Sequence, residues 1–404
     1  MRYERLASPI KIGKKKAPNR WVNHPMECND ADEYGNPTDL TLKRYQKLAK
    51  GGAGIITVES LSISSKSRAR KHQLEITERN AEGLYGLVKE IRQFNNTSLI
   101  IFQINHSGNI SNGAFSEVVS YYPTGDSSVT VLSDEDTEEI KKGFVNAAVI
   151  AHQAGADGID FKQCHGYFCG QLLRPANAKK GRFGGSFENR TRFFREAAHQ
   201  IRKCVNDDAF ILGARISVYE GIIGGTGTIG PEAVAEDLTE PLAFARMIEE
   251  AGFHFINVSS GIPVFTGEIC RPTKNYPLGV YRHFTWTEAV KSTVKIPLIG
   301  TGYSYLRDGN NNLPGRNSAK KSLLYWAEKN IEDGHVDMVG IGRQSLADPF
   351  FCNKVLTGNT DAINYCIACG GCSILLKRQA RVGCTVHDPF YREELRRVRQ
   401  SKKD

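Results

Sequence analysis

Lys162, His165 and Tyr167 fall within six residues of one another, directly after the apolar run Gly158–Phe161. An ammonium, an imidazole and a phenol are side chains that polarise carbonyls or move protons. The run before them has the length of a buried strand, and Glu188–Arg202 behind them has helical spacing. Titratable groups at a strand end, with a helix behind, make a candidate active-site rim. A polar loop with a satisfied histidine is the alternative.

A second set is sharper. Of ten cysteines, Cys28, Cys164, Cys169, Cys204, Cys270 and Cys352 are scattered. Cys366, Cys369, Cys372 and Cys384 form a compact Cys-x2-Cys-x2-Cys-x11-Cys motif near the C-terminus. Three thiolates in one tight loop can hold adjacent corners of an iron–sulfur cubane, and a fourth can close it. Structural zinc more often uses two separated Cys-x2-Cys pairs. Zinc and unligated thiols remain as alternatives. In a chain without a visible secretory signal, clustered cysteines favour metal or redox chemistry over a disulfide framework.

The elements that must position these residues repeat as strand then helix. Strands are expected at Trp21–Met26, Gly54–Glu59, Leu99–Ile104, Gly158–Phe161, Ala209–Ile216, His254–Ser259, Ile296–Gly300 and Val336–Ile341. Helices are expected at Leu40–Lys50, Glu78–Phe94, Asp134–Gln153, Glu188–Arg202, Leu242–Ala251, Thr285–Thr293 and Ser318–Glu332. None of the crossovers reads as a tight hairpin, which argues for parallel pairing through right-handed units. Eight such units predict an α/β fold of the (β/α)8 TIM-barrel type at residues 1–355, with a cysteine-rich extension at 356–404. An open doubly wound sheet is the alternative, weakened by the lack of a G-x-G-x-x-G after the first strand.

In such a barrel, chemistry gathers at the C-terminal strand ends. Those ends carry Met26, Glu27 and Cys28; Glu59 and Ser60; Gln103, Asn105 and His106; Arg215; and Ser259 and Ser260, besides the fourth-strand set. The last two ends read Gly300-Thr301-Gly302 and Gly340-Ile341-Gly342-Arg343. Glycines let backbone N–H groups approach a phosphate, and an arginine adds a fork of donors. A phosphate-bearing cofactor is therefore expected there, ordinary turn glycines being the alternative.

The chain has 404 residues and a net charge of +9. No apolar run approaches the roughly 20 residues that span a bilayer. MRYERLASPI lacks an apolar signal core, so a cytoplasmic location is expected. No nucleic-acid motif is present. The basic tail from Arg396 is a solvated terminus or a docking patch for an acidic electron-transfer partner or anionic substrate.

At this point the residues match a family. The chain resembles the Old Yellow Enzyme class of FMN-dependent oxidoreductases. It is most similar to the iron–sulfur branch containing 2,4-dienoyl-CoA reductase, 2-enoate reductase and trimethylamine dehydrogenase. The resemblance runs from Leu6 to about Val398, on SPIKIG with NRWVNHPM, PTDLTLKRY, GGAGIITVES, FQINHSGN, DGIDFKQCHGY, RFGGSFENRTRF, VGIGRQSLADP and the cysteine motif with CTVHDP. It implies FMN over the barrel mouth, lined by Pro25 and Met26, with Glu27 and Ser60 beside it. Gln103 would bond the pyrimidine edge and Arg215 would sit near N1 and O2. Gly302, Gly342 and Arg343 would hold the phosphate, and the motif cysteines a 4Fe-4S cluster.

The implied reaction is hydride transfer from reduced flavin to the C=C of an α,β-unsaturated carbonyl compound: an enoate, an enoyl-CoA or a phenolic flavonoid. NAD(P)H would be the reductant, Tyr167 the proton donor, and His165 one of two carbonyl-binding positions. There are three departures. The other carbonyl-binding position is Lys162, open either to a substrate oxygen or to an internal ion pair with a carboxylate such as Asp160. Glu27 stands where the family often has a small polar or thiol side chain. The sequence ends at Asp404, where the nearest kin continue into nucleotide-binding domains. A separate electron-carrier protein, an oxidative amine-dehydrogenase-like reaction, or a catalytically silent electron-transfer subunit are therefore alternatives. Self-association is left open.

Overall fold

The computed structural model describes residues 3–314 and 317–401, so Lys402 and Lys403 of the basic tail lie outside it. Eight strands close into one parallel barrel in sequential order. They are β1 (Trp21–Asn23), β2 (Ile55–Ser62), β3 (Leu99–Asn105), β4 (Gly158–Gln163), β5 (Ile211–Ser217), β6 (Phe255–Ser259), β7 (Leu298–Gly300) and β8 (Met338–Ile341). Closure is made by β8 on β1, with Val339 opposite Trp21 and Ile341 opposite Asn23.

The outer ring is α1 (Asp39–Gly51), α2 (Ala81–Phe94), α3 (Asp134–Gln153), α4 (Phe187–Val205), α5 (Thr239–Glu250), α6 (Gly279–Lys291), α7 (Leu323–Glu332) and α8 (Phe351–Leu356). Side-chain caps set several starts. Thr38 opens α1 and Ser133 opens α3 with reciprocal capping boxes, and Ser186 caps α4. The strands are buried on both faces, as a parallel sheet under helices requires.

Two apolar layers hold the barrel. Outside, Phe144, Phe161, Phe193 and Phe194 pack between sheet and helices. Inside, Val22, Ile55, Ile101, Ile211, Phe255 and Met338 fill the lower barrel, joined by Ile12 and Ala17. These last two belong to an N-terminal hairpin, Ile10–Ile12 with Lys15–Ala17, that plugs the N-terminal end. At Gly213 a Cβ would stand 1.9 Å from the Phe255 ring, so glycine there admits the aromatic ring to the interior.

Some boundaries moved, for local reasons. β1 stops at Asn23, not Met26, because Pro25 lacks an N–H for the ladder. This frees Met26 and Glu27 as loop. Helix α2 begins at Ala81 after a 3-10 turn at Glu78–Asn80, and α7 begins at Leu323 after a 3-10 turn at Ala319–Lys321. Helix α6 starts at Gly279, earlier than Thr285.

Beyond α8, helices α9 (Gly371–Lys377) and α10 (Pro389–Gln400) fold onto the loops after β1 and β2. Val382 N–H donates to Cys28 O at 2.8 Å, and Asn29 Nδ2 donates to Gln379 O at 2.7 Å. Leu375, Val382, Tyr391 and Leu395 bury a small core against Cys28. The extension therefore builds one wall of the barrel mouth.

Candidate active site at the barrel mouth

The C-terminal strand ends surround a cleft of about 1090 Å³ including its open mouth. Pro25, Met26, Glu27, Gln103, Lys162, His165, Tyr167, Arg215, Gly302, Gly342 and Arg343 all line it. Ser60 alone of the expected cofactor-binding residues stays behind the wall, where its Oγ accepts from Lys162 Nζ at 2.9 Å. The register between β2 and β3 shifts between Val58 and Leu61, which re-aims Glu59 and Ser60.

The fourth strand end is built under strain. His165 has a φ of 64°, and Gly166 follows at 76°. A non-glycine residue in the left-handed region costs energy and is kept only where its surroundings fix it. The His165 N–H donates to Ser217 Oγ at 3.3 Å, and its Nε2 lies 2.7 Å from Ser259 Oγ. Burial first, then the Arg215, Lys162 and Arg271 charges, push the imidazole well below its usual pKa. The ring is neutral at neutral pH.

Lys162 is not paired with Asp160. Its Nζ faces Glu27 Oε1 at 3.3 Å and lies 3.5 Å from the Tyr167 ring centroid. Asp160, two residues earlier on the same face of β4, is instead held by Gln103 Nε2 at 2.8 Å on the neighbouring strand. Glu27 collects three donors: Lys162, Arg70 Nε at 3.1 Å, and Tyr167 Oη at 2.9 Å. Burial alone would raise its carboxyl, but Lys162 and Arg70 win and hold it at about 2. Tyr167 goes the other way, its phenol raised by burial and by the Glu27 charge.

Gln103, Arg215 and the glycines leave polar capacity facing the cleft. Arg215 Nε and His24 Nε2 are buried without a hydrogen-bond partner among the described residues. Gly302 has a φ of 93°, and a Cβ at Gly340 would stand 1.9 Å from His24 Nε2. Buried unpaired donors cost free energy, so these atoms fit a polar planar ligand laid over the barrel. Among the described residues Arg343 Nη2 donates to Pro272 O alone, at 3.2 Å, which leaves the rest of its fork for an anion.

The four motif cysteines line one adjoining hollow of about 350 Å³ with Arg343, Ile367 and Thr385. None forms a disulfide. Among the described residues no three Cys, His, Asp or Glu side chains converge as they would on a single metal ion. The His387 N–H donates to Cys384 Sγ at 3.5 Å. Burial raises the Cys366 and Cys384 thiols, and neighbouring motif sulfurs add to the rise. Four crowded sulfurs with an amide donor beside them fit a cationic cluster core, which would stabilise their deprotonated form.

Arg70 and Arg271 were not anticipated. Arg70 sits in the loop between β2 and α2, and the basic run Arg68–Lys71 was its only sequence signal. Arg271, after β6, reaches Ser373 Oγ at 2.8 Å, tying that loop to the residue after Cys372. Neither has a spacing pattern that marks it.

Comparison with known proteins agrees with this architecture. An NADH oxidase of Thermoanaerobacter brockii is 30% identical over 97% of this chain and 57% of its own. A cinnamate reductase of Clostridium sporogenes is 28% identical over 99% of this chain and 60% of its own. A 2-naphthoyl-CoA reductase bound to 2-naphthoyl-CoA superposes with a TM-score of 0.80, at 25% identity over 97% of this chain and 58% of that one. The chain thus spans under two thirds of the length of these relatives. The model of the NADH:flavin oxidoreductase / NADH oxidase family matches residues 5–362, and the chain belongs to that family.

Proposed function

We propose that the chain is an FMN-dependent ene-reductase acting on an α,β-unsaturated carbonyl compound. One observation carries the reading: a phenol and a neutral imidazole, Tyr167 and His165, face the same cleft as the polar groups suited to a flavin. Gln103 and Arg215 would hold the ring's polar edge, Pro25 and Met26 its face, and Gly302, Gly342 and Arg343 the phosphate. When bound, FMN supplies the hydride chemistry, loaded from NAD(P)H. Arg215, a fixed cation, stabilises negative charge on that ring.

The chain's own residues do the rest. His165, its Nε2 engaged by Ser259, presents a neutral ring nitrogen to the substrate carbonyl oxygen. That bond strengthens as enolate charge develops. Tyr167 donates a proton at the α-carbon. The relatives named for cinnamate and 2-naphthoyl-CoA support an unsaturated acyl substrate.

The cysteine motif is proposed to hold a 4Fe-4S cluster in an extension, residues 356–404, that packs on the barrel of residues 1–355. Iron and acid-labile sulfide in anaerobically purified protein test this; zinc without sulfide would sink it. A second reading, with a separate carrier protein as electron donor, draws on the surface at the motif. Cys369 and Ile367 are exposed there, beside exposed Lys377, Arg378 and Arg381. NADH bleaching of the flavin selects the direct donor, and bleaching only by a reduced carrier selects the protein. Tyr167→Phe is expected to slow alkene reduction about 100-fold or more while flavin loading persists. Equal loss of both steps removes Tyr167 from the donor role.

A further inference from the structure

Tyr167 and Lys162 meet through a single oxygen. Glu27 Oε1 accepts from Tyr167 Oη at 2.9 Å and faces Lys162 Nζ at 3.3 Å. The other carboxylate oxygen is held by Arg70. Ser60 Oγ takes a second proton of Lys162 at 2.9 Å, and the Tyr167 ring covers the ammonium. A lysine needed only for carbonyl binding would point its protons at the cleft. Two of these point at protein groups instead, Glu27 on the cleft wall and Ser60 behind it.

The arrangement poses a problem that it also solves. When Tyr167 gives up its proton, a phenolate is left against the ionised Glu27 carboxylate. Two anions sharing a site each raise the other's proton affinity. The phenolate therefore demands a proton along the contact it already makes. Arg70 cannot supply one, because a guanidinium does not deprotonate in a protein. Lys162 can.

We propose that Lys162 reprotonates Tyr167 through Glu27, so that Glu27 and Lys162 are positioning residues of a buried proton relay. The proposal builds on the ene-reductase reading above. The Tyr167 O–H bond breaks, its electron pair stays on oxygen, and the proton forms the new C–H bond at the substrate α-carbon. A Lys162 N–H bond breaks, its proton passes to Glu27 Oε1, and the proton held there re-forms the Tyr167 O–H. The sum moves one proton from ammonium to substrate, with no group in the relay oxidised or reduced. The neutral amine regains its proton from water at the cleft mouth.

The surroundings favour that loss. Burial lowers the Lys162 ammonium below its usual range, and Arg215 on β5 acts in the same direction, while Glu27 and Cys164 oppose. His165 faces it as a neutral ring and Tyr167 as a neutral phenol. Asp160 on β4 and Cys270 after β6 also feel its charge, and both are raised by burial toward their neutral forms. The relay needs the ammonium form, so the rate falls as pH rises through the Lys162 pKa.

The test is reoxidation of reduced holoenzyme by cyclohexenone, followed by stopped flow across pH. Lys162→Arg keeps the charge and cannot pass a proton on. It is expected to lose at least about tenfold in rate together with the alkaline limb. Lys162→Ala is expected to regain rate when methylammonium is added. Glu27→Gln is expected to slow the same step and, by NMR of ring-labelled tyrosine, to lower the Tyr167 pKa in the oxidised holoenzyme. Arginine at the wild-type rate with the wild-type pH profile overturns the relay, as does a Tyr167 pKa that ignores Glu27→Gln. A wild-type enzyme that cyclohexenone, cinnamate and an enoyl thioester all fail to reoxidise overturns the ene-reductase reading itself.

Discussion

Ser259 Oγ lies 2.7 Å from His165 Nε2, joining the end of β6 to the strained turn after β4. The contact bridges the end of the intervening strand β5 and fixes the imidazole by its Nε2 edge. A hydroxyl that engages Nε2 determines what Nδ1 can offer a substrate oxygen. Ser259→Ala removes that control. We expect KM for an unsaturated carbonyl to rise and kcat to fall, together about tenfold in kcat/KM, the scale of one hydrogen bond. Flavin loading should change less, and steady-state and single-turnover kinetics on the same preparation would separate the two.

Gly340 bears on cofactor retention. An added Cβ would overlap His24 Nε2 at 1.9 Å, and His24 is buried at the cleft wall, its N–H bonded to Ile341 O on β8. Gly340→Ala must therefore displace the ring or the strand, at about 1–3 kcal/mol. The expected outcome is protein that folds with a lowered Tm and retains less flavin after gel filtration. Full flavin content would show that the ring relaxes without disturbing the cleft.

Arg174 and Glu220 form a buried two-pronged pair, Nε to Oε2 at 2.7 Å and Nη2 to Oε1 at 3.2 Å. Glu220 also accepts the Thr226 N–H at 3.1 Å, so the pair ties the loop after β5 to that after β4. Glu220→Gln leaves a buried guanidinium without its counter-charge. Loss of about 3–5 kcal/mol in a urea melt is expected. A loss under about 1 kcal/mol would mean that water reaches Arg174.

Glu27 predicts the shape of acid unfolding. Its carboxyl is held at about 2, against an ordinary value of 4.5. A depressed acid contributes stability that is complete above the unfolded value and lost as pH falls through the folded one. The stability difference between wild type and Glu27→Gln should therefore be largest above 4.5 and shrink toward 2. Chemical melts across that window measure it, and a difference independent of pH would place the carboxylate outside the ion pair.

Much of the molecule was legible in order along the chain. Alternation of apolar runs with amphipathic helices reports local periodicity, and the parallel barrel followed from it. The cysteine spacing and the Gly302 and Gly342–Arg343 turns also act over short range, so their grouping could be read before folding. Pro25 shows the limit even there: it ended β1 three residues early, releasing Met26 and Glu27 into the mouth.

Tertiary structure decided the partners. Glu27 and Lys162 lie 135 positions apart, and Tyr167 and Glu27 lie 140 apart. No periodicity encodes such meetings, because they exist only once β8 closes on β1 and brings the loop after β1 over β4. The same closure turned Lys162 from Asp160 to Glu27, placed Arg70 and Arg271 in the cleft, and put Ser60 behind it. Strand alternation selects which side chains face inward; barrel closure selects which of them touch.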